Sequence, residues 1–152
     1  MKLTFIESDL SSKEHFDACV QLTQENHVFN ARLGGRERIQ SISQTEKDTQ
    51  GIMKAGLVRC FFLKDGDSYV GILTGSIEKP PKRFTWVLDL FLRKDYRRMG
   101  SAKKLMKLMV AWAKKNGSGT VYVRAVIKNK GAVSFYKQEG FKPVTMVLRA
   151  KL

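Results

Sequence analysis

The 152-residue chain has the length of one domain, and its 43% of apolar residues are enough to bury a hydrophobic core. Its 28 lysines and arginines outnumber 14 acidic residues, and the resulting net charge of +14 favours anionic partners. No repeat or low-complexity tract divides the chain, and no apolar run approaches membrane-spanning length. We therefore predict a single domain over residues 1–152 that is soluble and cytoplasmic, without a membrane partner.

Apolar periodicity and turn residues predict alternating strands and helices in the first half of the chain. The expected elements are a strand over 3–6, helices over 13–26 and 37–54, and an antiparallel strand pair over 57–64 and 69–77. Gly71 and Gly75 inside the last strand indicate a bulge or close packing. Pro80 and Pro81 end that strand and begin a short connection to the next one.

Three arginines, Arg32, Arg36 and Arg38, surround the Gly34-Gly35 break between the two predicted helices. Guanidinium groups bind planar oxyanions well, so these side chains could clamp a substrate carboxylate or phosphate. A solvated basic loop without a ligand is the competing interpretation.

Neither histidine and neither cysteine belongs to a cluster of metal-ligating residues in the sequence. We assign no metal or catalytic role to His15 or His27, and we expect no metal site. Cys19 lies on a predicted helix face and Cys60 in an apolar strand. Two such cysteines are expected to be buried free thiols in a reducing compartment.

The stretch from Trp86 to Trp112 predicts a strand, a basic turn and an amphipathic helix. The strand covers 86–92, and the turn contains Arg97-Arg98-Met99-Gly100-Ser101-Ala102. The first N–H groups of a helix lack partners within it and carry partial positive charge, so they can bind a phosphate. Gly100 suits a turn whose backbone must approach a ligand closely.

A second pattern follows a predicted strand over 120–127, which should run parallel to the 86–92 strand because a helix connects them. Asn129 is placed to cap a short helix that carries Ala132 and Tyr136 and ends at Gly140. We expect one or two final strands between Phe141 and Leu152.

Together the two patterns resemble the GNAT superfamily of acyl-CoA-dependent N-acetyltransferases. Arg97-x-x-Gly100-x-Ala102 is similar to its pyrophosphate-binding signature, and Asn129-x-x-Ala132-x-x-x-Tyr136-x-x-x-Gly140-Phe141 to its second motif. The resemblance covers 86–141. It implies an α/β fold in which a mixed central sheet with a splayed parallel strand pair is flanked by helices. It also implies transfer of an acetyl group from acetyl-CoA to a primary amine, by direct attack in a ternary complex.

The resemblance further implies which residues form the site. A backbone N–H near Leu92 would hold the thioester oxygen, and Tyr136 would protonate the departing thiolate, since a phenol is protonated at neutral pH. Asn129 would bind the pantetheine arm or anchor the loop beside it. The expected cofactor contacts are Phe91, Leu92, Arg93, Arg97, Arg98, Met99, Gly100, Ser101, Ala102, Asn129 and Tyr136.

The general base is where the sequence departs from the family pattern. Leu88 occupies one place where some relatives have a glutamate. Asp89 and Glu78 are the remaining candidates, although strand alternation leaves the direction of Asp89 open. Deprotonation of the amine through water, without a dedicated base, is the other interpretation.

The identity of the amine is not readable from the sequence. The net charge of +14 disfavours polycationic amines, so a small amine with an anionic group, or a protein amine, fits better. The alternative function is a non-catalytic basic module that binds acyl-CoA or nucleic acid, although no nucleic-acid motif beyond charge supports it. A homodimer is compatible with the sequence.

Overall fold

The computed structural model describes residues 1–78 and 83–152, so the predicted Pro80-Pro81 connection lies outside the described residues. Five strands form one sheet in the order β1-β2-β3-β4-β5. The elements are β1 (Leu3–Ser8), α1 (Lys13–Arg32), α2 (Ile42–Ala55), β2 (Gly56–Asp65), β3 (Ser68–Glu78), β4 (Phe84–Leu92), a 3-10 turn (Lys94–Tyr96), α3 (Ser101–Lys115), β5 (Thr120–Val123) and α4 (Lys130–Gln138). The pairs β1–β2, β2–β3 and β3–β4 are antiparallel, and β4–β5 is parallel. This is the mixed α/β sheet that the sequence predicts.

Capping residues determine where the first two helices begin. The Ser12 side chain accepts a hydrogen bond from the His15 N–H, and the Ser41 side chain accepts one from the Gln44 N–H. Helix α1 extends beyond its predicted end, because the chain first enters the left-handed region at Gly34 (φ +80°). Helix α2 starts later than predicted, since Ser41 rather than a residue near Glu37 is the cap.

The sheet separates two hydrophobic clusters. On one face, Leu105, Met109 and Trp112 of α3 pack with Tyr136 of α4 against the strands. On the other face, α1 packs against β2 and β3 through a cluster that includes Cys19 and Cys60. Both cysteines are buried free thiols, as predicted. Burial of apolar surface on both sides of one sheet is the main source of stability for such a fold.

A β-bulge interrupts the pairing of β3 with β4. Thr74 pairs with Asp89 and Gly75 pairs with Val87, so Leu88 is the extra residue. Gly75 lies directly under α3, where an added Cβ would come within 3.1 Å of Met109 and 3.2 Å of Trp112. The irregularity predicted at Gly75 is therefore a register shift between β3 and β4, and it is also a close contact between β3 and α3.

The parallel pair separates after a short contact. Pairing between β4 and β5 runs only from Phe84↔Thr120 to Val87↔Val123. From there to Leu92, β4 pairs only with β3. The predicted splay is confirmed, although β5 ends at Val123 rather than near Ile127 because its pairing partner diverges. The stretch of β4 from 88 to 92 therefore has an open edge.

The prediction of one or two final strands is wrong, because residues 141–152 form no strand. The exposed fractions of Val144, Met146 and Leu148 are 70%, 73% and 84%. β-Propensity describes how a side chain fits a pleated, half-buried surface, and the four residues of β5 provide only a short edge on which to pair. Among the described residues, no helix is long and apolar enough to cross a membrane.

Candidate active site

The bulge in β4 turns Asp89 toward α1. Val87 packs with the α3 cluster, so unbroken alternation would place residue 89 on that same face. Because Leu88 is extra, Asp89 instead meets two polar side chains of α1. Asn26 Nδ2 donates a hydrogen bond to Asp89 Oδ1 at 2.9 Å, and Thr23 Oγ1 donates to Oδ2 at 3.4 Å. The Asp89 side chain is only 11% exposed.

Burial raises the pKa of Asp89 from 3.8 to about 6, because the charged carboxylate loses hydration. The hydrogen bonds from Asn26 and Thr23 and the positive charge of Arg36 oppose this effect without cancelling it. At neutral pH Asp89 is therefore mostly a carboxylate, and it is a stronger base than an exposed aspartate. A pKa near the operating pH is a favourable property in a general base.

A cleft of about 190 Å³ opens in front of Asp89, between the two N-terminal helices and the sheet. Leu88 and Thr74 line it from the strands, His27 from α1, Asp48 from α2 and Arg36 from the connecting loop. A larger depression of about 520 Å³ runs along α4 beside Ile127, which is 77% exposed, and no predicted site residue lines it. Within 1–78 and 83–152, no group of His, Cys, Asp and Glu could hold a metal ion.

His27 lines the cleft as a neutral imidazole. Burial, with a smaller effect of the Arg36 charge, lowers its pKa to about 4. Its Nε2 lies 3.9 Å from Asp89 Oδ1, which is too far for a hydrogen bond, and a neutral ring forms no ion pair. Its buried Nδ1 has no hydrogen-bond partner within the described ranges. This nitrogen is therefore a buried polar atom whose hydrogen-bonding capacity is unused.

Tyr136 approaches Asp89 from the opposite side of the sheet. Its side chain is buried on α4, where its ring contacts Phe135 and Phe141. Burial raises the pKa of Tyr136 well above its usual value, and the negative charge of Asp89 raises it further. Tyr136 therefore packs in the cluster on the α3 side of the sheet, whereas Asp89 faces α1.

Backbone N–H groups line the open edge of β4. The Arg93 N–H donates to the Val70 carbonyl of β3 at 2.9 Å. Because N–H directions alternate along a strand, the N–H groups of Leu90 and Leu92 point away from β3, toward the splay. This edge therefore presents donors where a carbonyl oxygen could accept, as expected near Leu92.

Two residues of the basic turn, just before α3, have left-handed backbone conformations. Arg98 has φ +60° and Gly100 has φ +81°. Gly100 is the N-cap of α3 and provides no side-chain cap for the first-turn N–H groups. A Cβ added at Gly100 would have no atom within 4 Å. The turn is thus an open, positively polarised surface of the size that a phosphate needs.

Two of the predicted contact arginines are held by the protein itself. Arg97 Nε donates to the Leu92 carbonyl at 2.7 Å, and its guanidinium lies 4.7 Å from the centroid of the Phe29 ring. Arg93 makes a bidentate pair with Glu25, with N–O distances of 3.0 and 2.8 Å. Both side chains tie β4 and the following turn to α1.

Asn129 caps α4 as predicted, because its Oδ1 accepts a hydrogen bond from the Ala132 N–H at 3.1 Å. The Asn129 amide nitrogen is not used in this cap. A contact between that nitrogen and the pantetheine arm stays a prediction.

The structure separates the two candidate bases. Asp89 pairs with Thr74 of β3, and Glu78 lies four residues further along that strand, a distance of ~13 Å. The structure therefore places Asp89 in the cleft beside α1 and Glu78 at the end of β3. A role for Glu78 stays a prediction without support from its position.

Sequence reasoning did not identify the partners of Asp89 on α1. No motif marks Thr23 or Asn26, and we predict no metal or catalytic role for His27 from the sequence. Thr23, Asn26 and His27 continue the buried face of α1 that begins at Cys19 and Leu22. Polar residues at 3–4 spacing on an otherwise apolar helix face are the signal that could have found this site.

Comparison with known proteins assigns the family. Residues 17–141, most of the chain, match the model of the acetyltransferase (GNAT) family. The chain belongs to this family. The GNAT membership predicted from the two motifs is thereby confirmed. The matched range includes the Asp89 cleft, the basic turn and the Tyr136 helix.

Two curated GNAT relatives align with part of the chain. The uncharacterized N-acetyltransferase YobR of Bacillus subtilis is 26% identical over 57 residues, which cover 38% of this chain and 23% of YobR. The uncharacterized N-acetyltransferase MJ1207 of Methanocaldococcus jannaschii is 34% identical over 59 residues, covering 39% of this chain and 26% of MJ1207. The alignments therefore span about a quarter of either relative.

A solved structure supports the GNAT fold over the whole chain. The aminoglycoside N-acetyltransferase AAC(6')-Iy, in complex with the bisubstrate analogue CoA-S-monomethyl-acetylneamine, superposes with a TM-score of 0.74. The superposition covers 100% of this chain and 99% of that chain at 14% sequence identity. At this identity the likeness shows the fold alone.

The raised pKa of Asp89 predicts a pH-dependent stability difference between the wild type and Asp89→Asn. A buried aspartate whose pKa is raised in the folded state binds its proton more tightly there, so its stabilising effect is complete below pH ~4 and is lost as pH rises through 6. A change from 3.8 to about 6 corresponds to about 3 kcal/mol. The free energy of unfolding of the variant minus that of the wild type should therefore increase by about this amount between pH 4 and pH 7.

The measurement is urea denaturation of both proteins across this pH range, in which titrations common to both cancel. A difference that does not change with pH would mean that the carboxylate of Asp89 is solvated like an ordinary surface aspartate.

Proposed function

We propose that this protein transfers an acetyl group from acetyl-CoA to a primary amine that binds in the Asp89 cleft, by direct attack in a ternary complex. The observation that carries the proposal is the buried Asp89 carboxylate, which the bulge turns into a cleft beside the segment where β4 loses its parallel partner. Family membership supports the acyl-CoA requirement. The AAC(6')-Iy complex, which holds a CoA-containing analogue, supports it further.

The basic turn and the open edge of β4 are suited to hold acetyl-CoA in two places. The first-turn N–H groups of α3 would bind the pyrophosphate, helped by the positive charge of Arg98. The N–H groups of Leu90 and Leu92 face the splay, where they would bind the thioester oxygen and stabilise the negative charge that develops on it. Bound acetyl-CoA would supply the reactive thioester carbonyl.

Asp89 and Tyr136 would each carry out one proton transfer. Asp89 accepts a proton from the ammonium form of the acceptor, which frees the nitrogen lone pair to form the C–N bond with the thioester carbonyl carbon. The nitrogen loses a second proton as the amide forms, and this proton replaces the one that Tyr136 gives to the sulfur. As the C–S bond breaks, the sulfur takes the electron pair. Tyr136 donates a hydrogen bond, and then its proton, to this thiolate.

The charge of Asp89 couples these two transfers. While Asp89 is ionised, its charge keeps the pKa of Tyr136 high and makes the phenol a weak acid. When Asp89 accepts the proton of the amine, that charge disappears and Tyr136 becomes a stronger acid. The first proton transfer thereby prepares the second.

Replacing Gly100 with glutamate should abolish acetyl-CoA binding, because it introduces bulk and negative charge where the pyrophosphate would lie. Gly117→Glu is the matched control. Gly117 has the same φ of +81° and equally open surroundings, but it lies beyond the opposite end of α3. Calorimetric titration with acetyl-CoA should show heat of binding for the wild type and Gly117→Glu only. Equal affinities in both variants, or no binding by the wild type, would contradict the proposed cofactor site.

Replacing Tyr136 with phenylalanine should lower turnover at least about tenfold and change acetyl-CoA affinity little, because the hydroxyl acts when the thiolate leaves. Tyr122→Phe on β5 is the control, since Tyr122 stacks on Phe84 and Trp86. Release of the CoA thiol measures turnover, and calorimetry measures affinity. Equal turnover in the two variants would remove Tyr136 from the chemistry.

A further inference from the structure

We propose that the acceptor is a small zwitterion, an apolar amine that bears one carboxylate, as in an apolar α-amino acid. Its amine would lie at Asp89 and its carboxylate at Arg36. The inference rests on the proposed function and names the substrate class for the same cleft.

The cleft presents opposite charges that are not paired with each other. Asp89 lies at its inner end, and the Arg36 guanidinium lies on the loop between α1 and α2. Within the described residues no ion pair joins Arg36 to Asp89, although the Arg36 charge acts on both Asp89 and His27. A ligand that carries one charge of each sign can therefore satisfy both groups at once.

Arg36 has unused hydrogen-bond donors at the entrance of the cleft. Asp48 already accepts hydrogen bonds from Gln40 Nε2 at 3.2 Å and Gln44 Nε2 at 2.8 Å. Arg36 makes one long bond, from Nη1 to Gln40 Oε1 at 3.3 Å, and a guanidinium has five N–H donors. A carboxylate on the ligand fits these donors bidentately.

Contacts of the neighbouring backbone hold Arg36 at this position. The Gly35 N–H donates to the Asn30 carbonyl at 2.9 Å, and a Cβ at Gly35 would lie 2.4 Å from the Val126 side chain. Arg149 Nη2 also donates to the Gly34 carbonyl at 3.2 Å. The loop thus lies against the segment after β5, and Arg36, although exposed, lines the mouth of the cleft.

The size and the walls of the cleft favour a small apolar body. A volume of about 190 Å³ corresponds to about six water molecules at liquid density. Apolar side chains from four different segments line the cleft, namely Leu10, Ile52, Val58 and Leu88. A branched aliphatic group fits these walls better than a multi-ring polycation, and the net charge of +14 also repels polycations.

Turnover of three probe amines tests this inference: leucine, 3-methylbutylamine and spermidine. The second is leucine without its carboxylate, and the third is a polycation. CoA-thiol release would be measured with acetyl-CoA, and rates would be expressed per unprotonated amine. Leucine should give a kcat/KM at least about tenfold above that of either other amine, the value of one charge-assisted contact.

Arg36→Gln should reduce this preference for leucine over 3-methylbutylamine to less than about threefold, mainly by raising the KM for leucine. Arg38→Gln removes the same charge from the same loop and should keep the wild-type preference. Faster turnover of 3-methylbutylamine or spermidine, or an unchanged preference in Arg36→Gln, would overturn the substrate class and leave the acetyltransferase function standing. Thiol release with none of the three amines, despite acetyl-CoA binding, would overturn the proposed function as well.

Discussion

The extra residue in β4 is the constraint on which the site depends. A strand in regular register would present Asp89 to the α3 side of the sheet, within a hydrophobic core. The bulge at Leu88 turns the carboxylate toward Thr23 and Asn26 of α1. Beyond Val87, β4 also has no parallel partner, so the same short segment carries the Asp89 carboxylate, the outward N–H donors and the opening in the sheet.

Placing a carboxylate in this position costs stability, because neutral amide and hydroxyl groups replace only part of its hydration. An ion pair with Arg93 would have compensated for the cost, but Arg93 is committed to Glu25. The result is a carboxylate whose pKa is raised to about 6. Its negative charge adds to the effect of burial in raising the pKa of Tyr136. Such a conflict between local stability and function is common at catalytic sites.

The parts of the molecule that the sequence predicts are those with local signals. Gly100 before an amphipathic helix, and Asn129 at a capping position, each determine backbone structure within a few residues. The direction of Asp89 was not predictable, because a bulge depends on the register between β3 and β4. The structural roles of Arg93 and Arg97 were missed for a similar reason, since Glu25 and Phe29 are more than sixty residues away in the chain.

The acceptor side was the least predictable region. Arg36 follows Gly34-Gly35, a sequence that also fits a solvated loop. The position of this loop depends on tertiary contacts such as that of Gly35 with Val126. For the C-terminal segment the sequence predicts strands that do not form. Val144 to Leu148 have strand-forming side chains, but these residues find no pairing edge. In both regions the outcome depends on tertiary contacts rather than on the residues themselves.

Carbon-13 NMR titration of the aspartate carboxyl groups tests the central claim most directly. The Asp89 signal is the one that disappears in Asp89→Asn. The account predicts that this signal titrates near pH 6 rather than near the usual 3.8 of an aspartate. Titration near pH 4 would show that Asp89 is solvated like a surface carboxylate, and the cleft would then lack the base on which the proposed chemistry depends.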